Sequence, residues 1–363
     1  MPPLDSFNHL LKEIWSTKVL TNNGPFVTTL ENQLADYLEV PHISLYSNGT
    51  LALIAALHAL NIEGEVITTP YSFVATSHAL WWNNIKPIFV DIDPDTFCLD
   101  PGKIEEAITE KTTAILPVHV YGRPCKAAQI QRIAQKHGLK VIYDAAHAFG
   151  VKQGGQSVLL EGDLSILSFH ATKVYNTIEG GAVVCRTAEM KNKLSQLRNF
   201  GFVNEVRVLR PGINAKMNEL QAAYGLLQLE TIDQQIANRK QKTLLYKSLL
   251  KDVAGIRCYE DLENVQYNYG YFPILVESAV YGKERDALYY YLQQKNIFGR
   301  RYFYPLISEF EPYNQLPSSS TGNLPIAYDI SRKVICLPMY FELEDKLIIE
   351  ICTSIADFSV QNS

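Results

Sequence analysis

Residues Leu164 to Cys185 read LSILSFHATKVYNTIEGGAVVC. An apolar run reaches Ser168 and Phe169, a lysine stands at Lys173, and Gly180-Gly181 open a second apolar run. The pattern predicts two short strands joined by a loop that carries one amine. A loop anchored at both ends by buried strands holds its amine in place. A lysine sheltered from water can lose its proton and act as a nucleophile or a base. A solvated surface lysine would fit the stretch as well, since lysines are mostly exposed.

Upstream, the chain alternates strand and helix from Glu65: EVITTP, a helix over Thr76 to Trp82, KPIFVDI, a helix near Lys103 to Ile108, TTAILPVHV, a helix from Ala127 to His137 stopped by Gly138, and LKVIYD. Repeated β-α-β units with near-continuous apolar strands predict a mainly parallel sheet covered on both faces. Ligands of such sheets bind beyond the carboxyl ends of the strands. Asp144 stands at one such end, placed either to hold a cationic ligand nitrogen or to cap the segment AAHAFG. Earlier, Ile43 to Tyr46 can end a strand, Ser47-Asn48-Gly49-Thr50 form a turn, and Leu51 to Leu60 form a buried helix. Free N–H groups at that helix start suit a phosphate, and a plain N-cap by Ser47 or Asn48 is the alternative. No glycine pattern typical of dinucleotide or nucleoside triphosphate loops accompanies the turn.

The flanks complete the outline. A short entry helix around His9 to Trp15 precedes the loop LTNNGPF, and Thr29 to Leu38 place three leucines on one helical face. Beyond Cys185 come a basic helix (Met190 to Arg198), a loop ending in Pro211-Gly212, and a long helix with Leu220, Ala223, Tyr224, Leu227 and Leu229 on one face. The pattern then changes to strands such as Tyr271 to Val276, a helix near Arg285 to Gln293, the aromatic-basic NIFGRRYFYPL and a final helix around Leu343 to Ile355. The expected domains are therefore 1–239, with an N-terminal arm, and a smaller α+β unit, 240–363.

Composition excludes several classes. With 363 residues, 47% apolar and 20% charged, the chain can bury one large core and a smaller one. A formal net charge of −5 without a long basic block argues against nucleic acid. No apolar run approaches the roughly 20 residues of a membrane-spanning helix, and MPPLDSFNHLLKEIW lacks the order of a secretory signal. Six cysteines lie far apart with no metal-type spacing, which fits reduced thiols in a cytoplasmic protein without disulfides or structural zinc.

Seven stretches, SNGTLAL, PYSFVAT, VHVYG, DAAHAFG, SFHATK, EGG and PGINAKMNELQAA, occur in one order. Together they resemble the DegT/DnrJ/EryC1/StrS sugar aminotransferases. The resemblance runs from LTNNGPF to CLPMY. It implies an α/β, three-layer pyridoxal-phosphate-dependent transferase fold of type I, with a mostly parallel central sheet and a smaller C-terminal α+β domain. By that resemblance Lys173 bonds to pyridoxal 5'-phosphate and shuttles the proton, and Asp144 keeps the pyridine nitrogen protonated. Gly49, Thr50 and Ser168 form the phosphate cup, Phe73 stacks on the ring, and His147 takes the place of a common glutamine. Asn214 matches an asparagine lent by the other subunit, which implies a homodimer with shared active sites. Val174, Ile178, Ala215 and Lys216 depart from the usual wording.

A lysine in register, with His170 three residues earlier, separates the chain from dehydratases of the same fold, whose lysine is replaced by histidine. The implied reaction moves an amino group from L-glutamate to a nucleotide-linked keto-deoxysugar. The wording is most similar to members that aminate dTDP-4-keto-6-deoxy-D-glucose at C4 for O-antigen and lipopolysaccharide synthesis. Amination of a 3-keto sugar, a catalytically silent regulator with this fold, and a plain nucleotide-sugar binder are the alternatives. Arg300, Arg301, Tyr302 and Tyr304 are candidates for the nucleotide sugar, its diphosphate above all, or else form a solvated basic loop over an aromatic core.

Overall fold

A computed structural model describes residues 1–360. Two helices lead in, α1 (Leu4–Thr17) and α2 (Pro25–Leu38). Proline suits the first helical position because its missing N–H has no partner there anyway. The next two N–H groups, of Phe26 and Val27, donate to the buried carboxylate of Glu219 at 2.8 and 3.0 Å. This ties the loop LTNNGPF to a helix nearly two hundred residues later.

The alternation follows as β1 (His42–Tyr46), α3 (Gly49–Ala59), β2 (Glu65–Thr68), α4 (Ala75–Trp82), β3 (Lys86–Phe89), β4 (Thr112–Leu116), α5 (Ala127–His137) and β5 (Lys140–Asp144). A hairpin, β6 (Lys152–Gln153) and β7 (Gln156–Ser157), precedes β8 (Leu164–Ser168) and β9 (Gly181–Cys185). The seven long strands form one sheet in the order β1-β9-β8-β5-β4-β2-β3, in which only β9 runs against the rest. Both faces are covered: Ile142 belongs to the apolar cluster under α3 and α4, while Val141 and Tyr143 belong to the one on the opposite face. The predicted helix near Lys103 to Ile108 is instead two 3-10 turns, Pro101–Lys103 and Glu105–Ala107. The segment is too short to repay the nucleation of an α-helix.

After α6 (Ala188–Leu197) and a small hairpin, β10 (Phe202–Asn204) and β11 (Arg207–Val208), the long helix divides at Thr231 into α7 (Glu219–Glu230) and α8 (Ile232–Leu250). Position 239 lies inside α8. The C-terminal part has an antiparallel sheet, β12 (Ile256–Cys258), β14 (Phe272–Val276) and β15 (Val334–Leu337), while β13 (Val265–Gln266) pairs with β6 of the large sheet's side. Helices α9 (Ser278–Tyr281), α10 (Arg285–Gln294), α11 (Pro325–Lys333) and α12 (Asp345–Val360) complete it. The two parts share a core: Leu275, Phe303, Leu306 and Ile330 bury themselves in the same cluster as Ile115 and Val141. Buried Asp91 also receives the first N–H groups of α11, from Ile326 and Ala327.

Among the described residues no helix is long and apolar enough to cross a membrane, and no cluster of histidine, cysteine or carboxylate side chains could hold a metal ion. All six thiols are free.

Candidate active site

Strand register gathers the site. Tyr46 at the end of β1, Gly181 at the start of β9 and Ser168 at the end of β8 lie in one row of the sheet. The turn that follows Tyr46 therefore sits against Gly181, so closely that a Cβ there would lie 2.6 Å from the carbonyl carbon of Asn48 and 2.7 Å from the Cα of Gly49. The second glycine of EGG is required by that approach. A Cβ on Gly49 would in turn lie 3.0 Å from the Cβ of Ser168. The capping and anion-binding readings of this turn are compatible. The Asn48 side chain accepts the N–H of Leu51 at 2.9 Å, while Gly49 and Thr50, the first helical residues, line the main cavity.

That cavity, of about 670 Å3, also exposes Asp144, Lys173, His147 and Phe73. Asp144 is buried, accepting the Thr76 hydroxyl at 2.7 Å and the backbone N–H of Ala146 at 3.1 Å. Burial is the largest influence on its carboxyl and raises it, while Thr76, Ala146 and the charge of Lys173 oppose the rise. Among the described residues the carboxylate has no bonded cation, and a protonated ring nitrogen in the cavity would supply such a partner.

Lys173 is half-buried, and its Nζ donates to the Tyr271 hydroxyl at 3.0 Å. Desolvation pushes its amine down to about 8, with Asp144 and Tyr302 pulling the other way. The surface-lysine alternative thus fails on geometry. Neutral His147 accepts the backbone N–H of Tyr121 at its Nδ1 (3.2 Å), which leaves the proton on Nε2. Burial holds this imidazole well below its ordinary range. Its ring stacks on Phe303, centroids 5.8 Å apart and 9° from parallel.

The residues present fit pyridoxal phosphate. They offer an amine near neutrality, a buried acid lacking a cation, and a helix start with a hydroxyl and two close glycines. Phe73, 57% exposed, stands at the rim. Asn214 is exposed outside the cavity lining, its side-chain oxygen accepting from Lys216 at 2.8 Å.

The basic-aromatic loop divides. Tyr302 and Phe303 enter the cavity. Arg301 turns away to Asp286 (2.9 Å) and lies over the Tyr289 and Tyr304 rings. Tyr304 is flanked by the guanidiniums of Arg285, Arg301 and Arg332. The Arg300 side chain is exposed, with no ion pair among the described residues. Sequence reasoning missed Thr76, Phe303 and Tyr271. Thr76 lay inside a quoted stretch, PYSFVAT, but nothing marked Tyr271. Of the departures, Val174 packs on the backbone: a Cβ at Gly270 would lie 2.9 Å from its Cγ2. Ile178 adopts the left-handed region, φ 68°.

The family model for the DegT/DnrJ/EryC1/StrS aminotransferase family matches residues 5–356. A dTDP-4-amino-4,6-dideoxy-D-glucose transaminase of Shigella dysenteriae is 51% identical over 357 residues, 98% of this chain and 96% of that one. An Escherichia coli protein of the same name is 49% identical over 352 residues, covering 97% and 95%. Among solved structures, DesI in the presence of its TDP-sugar product superposes with a TM-score of 0.95 at 33% identity, covering 99% of this chain and 91% of that one.

Proposed function

The chain belongs to the DegT/DnrJ/EryC1/StrS aminotransferase family, and on that footing we propose that it converts dTDP-4-keto-6-deoxy-D-glucose to dTDP-4-amino-4,6-dideoxy-D-glucose with L-glutamate as donor. The observation that carries the reading is near-half identity, along almost the whole length, to two enzymes named for that product. The cofactor is pyridoxal 5'-phosphate, the cofactor of the family.

When bound, that group supplies an electron sink for the carbanion left by proton loss next to nitrogen. The chain does the rest. Gly49, Thr50 and Ser168 would hold the phosphate, and Asp144 would keep the ring nitrogen protonated, with Thr76 fixing the orientation of the acid. Phe73 would stack on the ring, and His147 would stand in the place of the common glutamine. Lys173 Nζ takes the proton from the α-carbon of glutamate and later returns one to the sugar carbon that receives the amine. Its lowered affinity for protons suits an amine that must both accept and release one near neutrality.

Of the basic loop, Arg300 is the guanidinium left open for the nucleotide diphosphate, with Arg301 and Tyr304 stiffening the loop behind it. The exposed position of Asn214, outside its own cavity, supports its donation to a second copy, and hence a homodimer with shared sites. The place of action we propose is the cytoplasm, in supply of an amino sugar for surface polysaccharide such as O-antigen.

The test is incubation with L-glutamate and either dTDP-4-keto- or dTDP-3-keto-6-deoxyglucose, the product amine being located by NMR. Amination at C4 is expected. Amination at C3 alone would overturn the substrate assignment, and a protein that takes up cofactor but never transfers the glutamate amine would be a silent regulator instead.

A further inference from the structure

Among the described residues the Lys173 amine has one bonded side-chain partner, and it comes from the other part of the chain. Tyr271 directly precedes β14, the middle strand of the C-terminal sheet. Its ring is wedged against His147 (centroids 4.8 Å), Tyr121 (5.6 Å) and Tyr302 (6.2 Å), and its hydroxyl stands 3.0 Å from Lys173 Nζ. The segment that carries it is pinned at several points. Asn268 donates to the carbonyls of His147 and Phe149, both at 2.9 Å, and accepts the N–H of Gly270 at 3.0 Å. Gly270 itself rests on Val174, the residue after the lysine, where any side chain would collide with the Val174 methyl. The valine that departs from the family's usual wording therefore packs the lysine loop against the segment that carries the tyrosine.

We infer that the Tyr271 hydroxyl is a positioning group that holds Lys173 Nζ in place whenever that amine is free of cofactor. It accepts an N–H from the ammonium, and it donates its own O–H to the nitrogen lone pair once the proton has gone to carbon. Tyr271 neither gains nor loses a proton over the cycle. Burial raises its phenol well above the ordinary value, so it stays neutral at working pH and cannot itself be the base. An unheld lysine has several rotatable bonds, and fixing it removes that freedom from the proton-transfer step. Among the described residues the other titratable groups facing the cavity around Nζ are Asp144 at the end of β5, His147 just beyond it, Tyr302 from the C-terminal part, and His170 and Glu179 on the lysine's own loop.

The inference rests on Lys173 being the reactive amine, so the test reads the lysine apart from turnover. In cofactor-free, full-length protein, acetylation of Lys173 by limiting acetic anhydride is followed against pH by peptide mass spectrometry. Tyr271→Phe keeps the ring, and Tyr271→Met removes both ring and hydroxyl. Tyr271→Phe loses a bond in both protonation states, but the one from the ammonium is charge-assisted and the stronger, so the midpoint falls by about half to one pH unit. With cofactor restored, the single-turnover rate with L-glutamate falls about tenfold while the KM for glutamate stays. Tyr269→Phe, two residues away, leaves both in place. If Tyr271→Phe matches wild type in midpoint and rate, and only Tyr271→Met departs, the ring packs and the hydroxyl assignment is overturned. If wild-type Lys173 never captures the cofactor, the parent reading fails instead, and the acetylation profile still reports on the hydroxyl.

Discussion

The cavity has two walls built on different terms. One is made by strand ends of the large sheet: Asp144 at the end of β5, Ser168 at the end of β8, Lys173 in the loop to β9, and the turn from β1 into α3. The other is made by residues of the C-terminal part, Tyr271, Tyr302 and Phe303. On the first wall strand register sets the backbone positions, while Thr76 of α4 bonds Asp144 and Tyr271 reaches Lys173 from the other wall. On the second, consecutive residues face opposite ways, Arg301 and Tyr304 toward arginines and acid, Tyr302 and Phe303 toward the cofactor site. On the proposed function the sheet wall carries the chemistry, and the second wall positions and selects.

Substitutions on the two walls should then fail differently. Lys173→Ala has the largest expected effect: loss of the visible absorbance of lysine-bound cofactor and of turnover to background. Activity retained in that variant would remove the sheet wall's claim to the chemistry. Asp144→Asn keeps the size of the side chain and loses the charge that holds the ring proton. A fall in kcat of roughly 100-fold or more is expected, with cofactor still bound; a fall below tenfold would say that the acid is structural. On the second wall, Arg300→Ala should raise the KM for the nucleotide sugar about tenfold and leave the glutamate half reaction alone. Arg301→Ala, whose partner is Asp286, should affect the melting temperature more than KM; the reverse ranking would exchange their roles.

Two smaller effects refine the sheet wall. Capture of cofactor by the cofactor-free protein requires the neutral amine, so its rate should rise with pH and level off above about 8, the position to which burial lowers Lys173. A profile still climbing beyond pH 10 would mean a solvated lysine. Thr76→Val removes the 2.7 Å bond to Asp144. It should cost about 1 kcal/mol of stability and a few-fold in kcat, measurable by thermal melts and steady-state rates.

Candidates for much of the first wall were legible in local pattern, and the resemblance to the family supplied their implied roles. An apolar run ending in a carboxylate, a polar turn before a buried helix, and a lysine between two apolar runs each point beyond a strand's carboxyl end. The parallel sheet followed from the same alternation. The helix expected near Lys103 failed where the pattern was too short for propensity to decide. In the C-terminal loop, the composition RRYFYPL announced cations and aromatics but not their directions.

By itself, then, the sequence determined the α/β sheet and its helical cover, since those depend on periodicity and on neighbours along the chain, and it offered Lys173, Asp144 and the turn before α3 as candidates whose roles the resemblance to the family implied. The tertiary structure alone decided which residues meet across the two parts. That Glu219 caps α2, that Gly181 must lack a side chain beside Asn48, that Arg301 is taken by Asp286, and that Tyr271 reaches Lys173 all depend on contacts between residues far apart in the chain. Such contacts have no signature in either partner's local sequence, because what selects them is the space left when two separately patterned surfaces pack together.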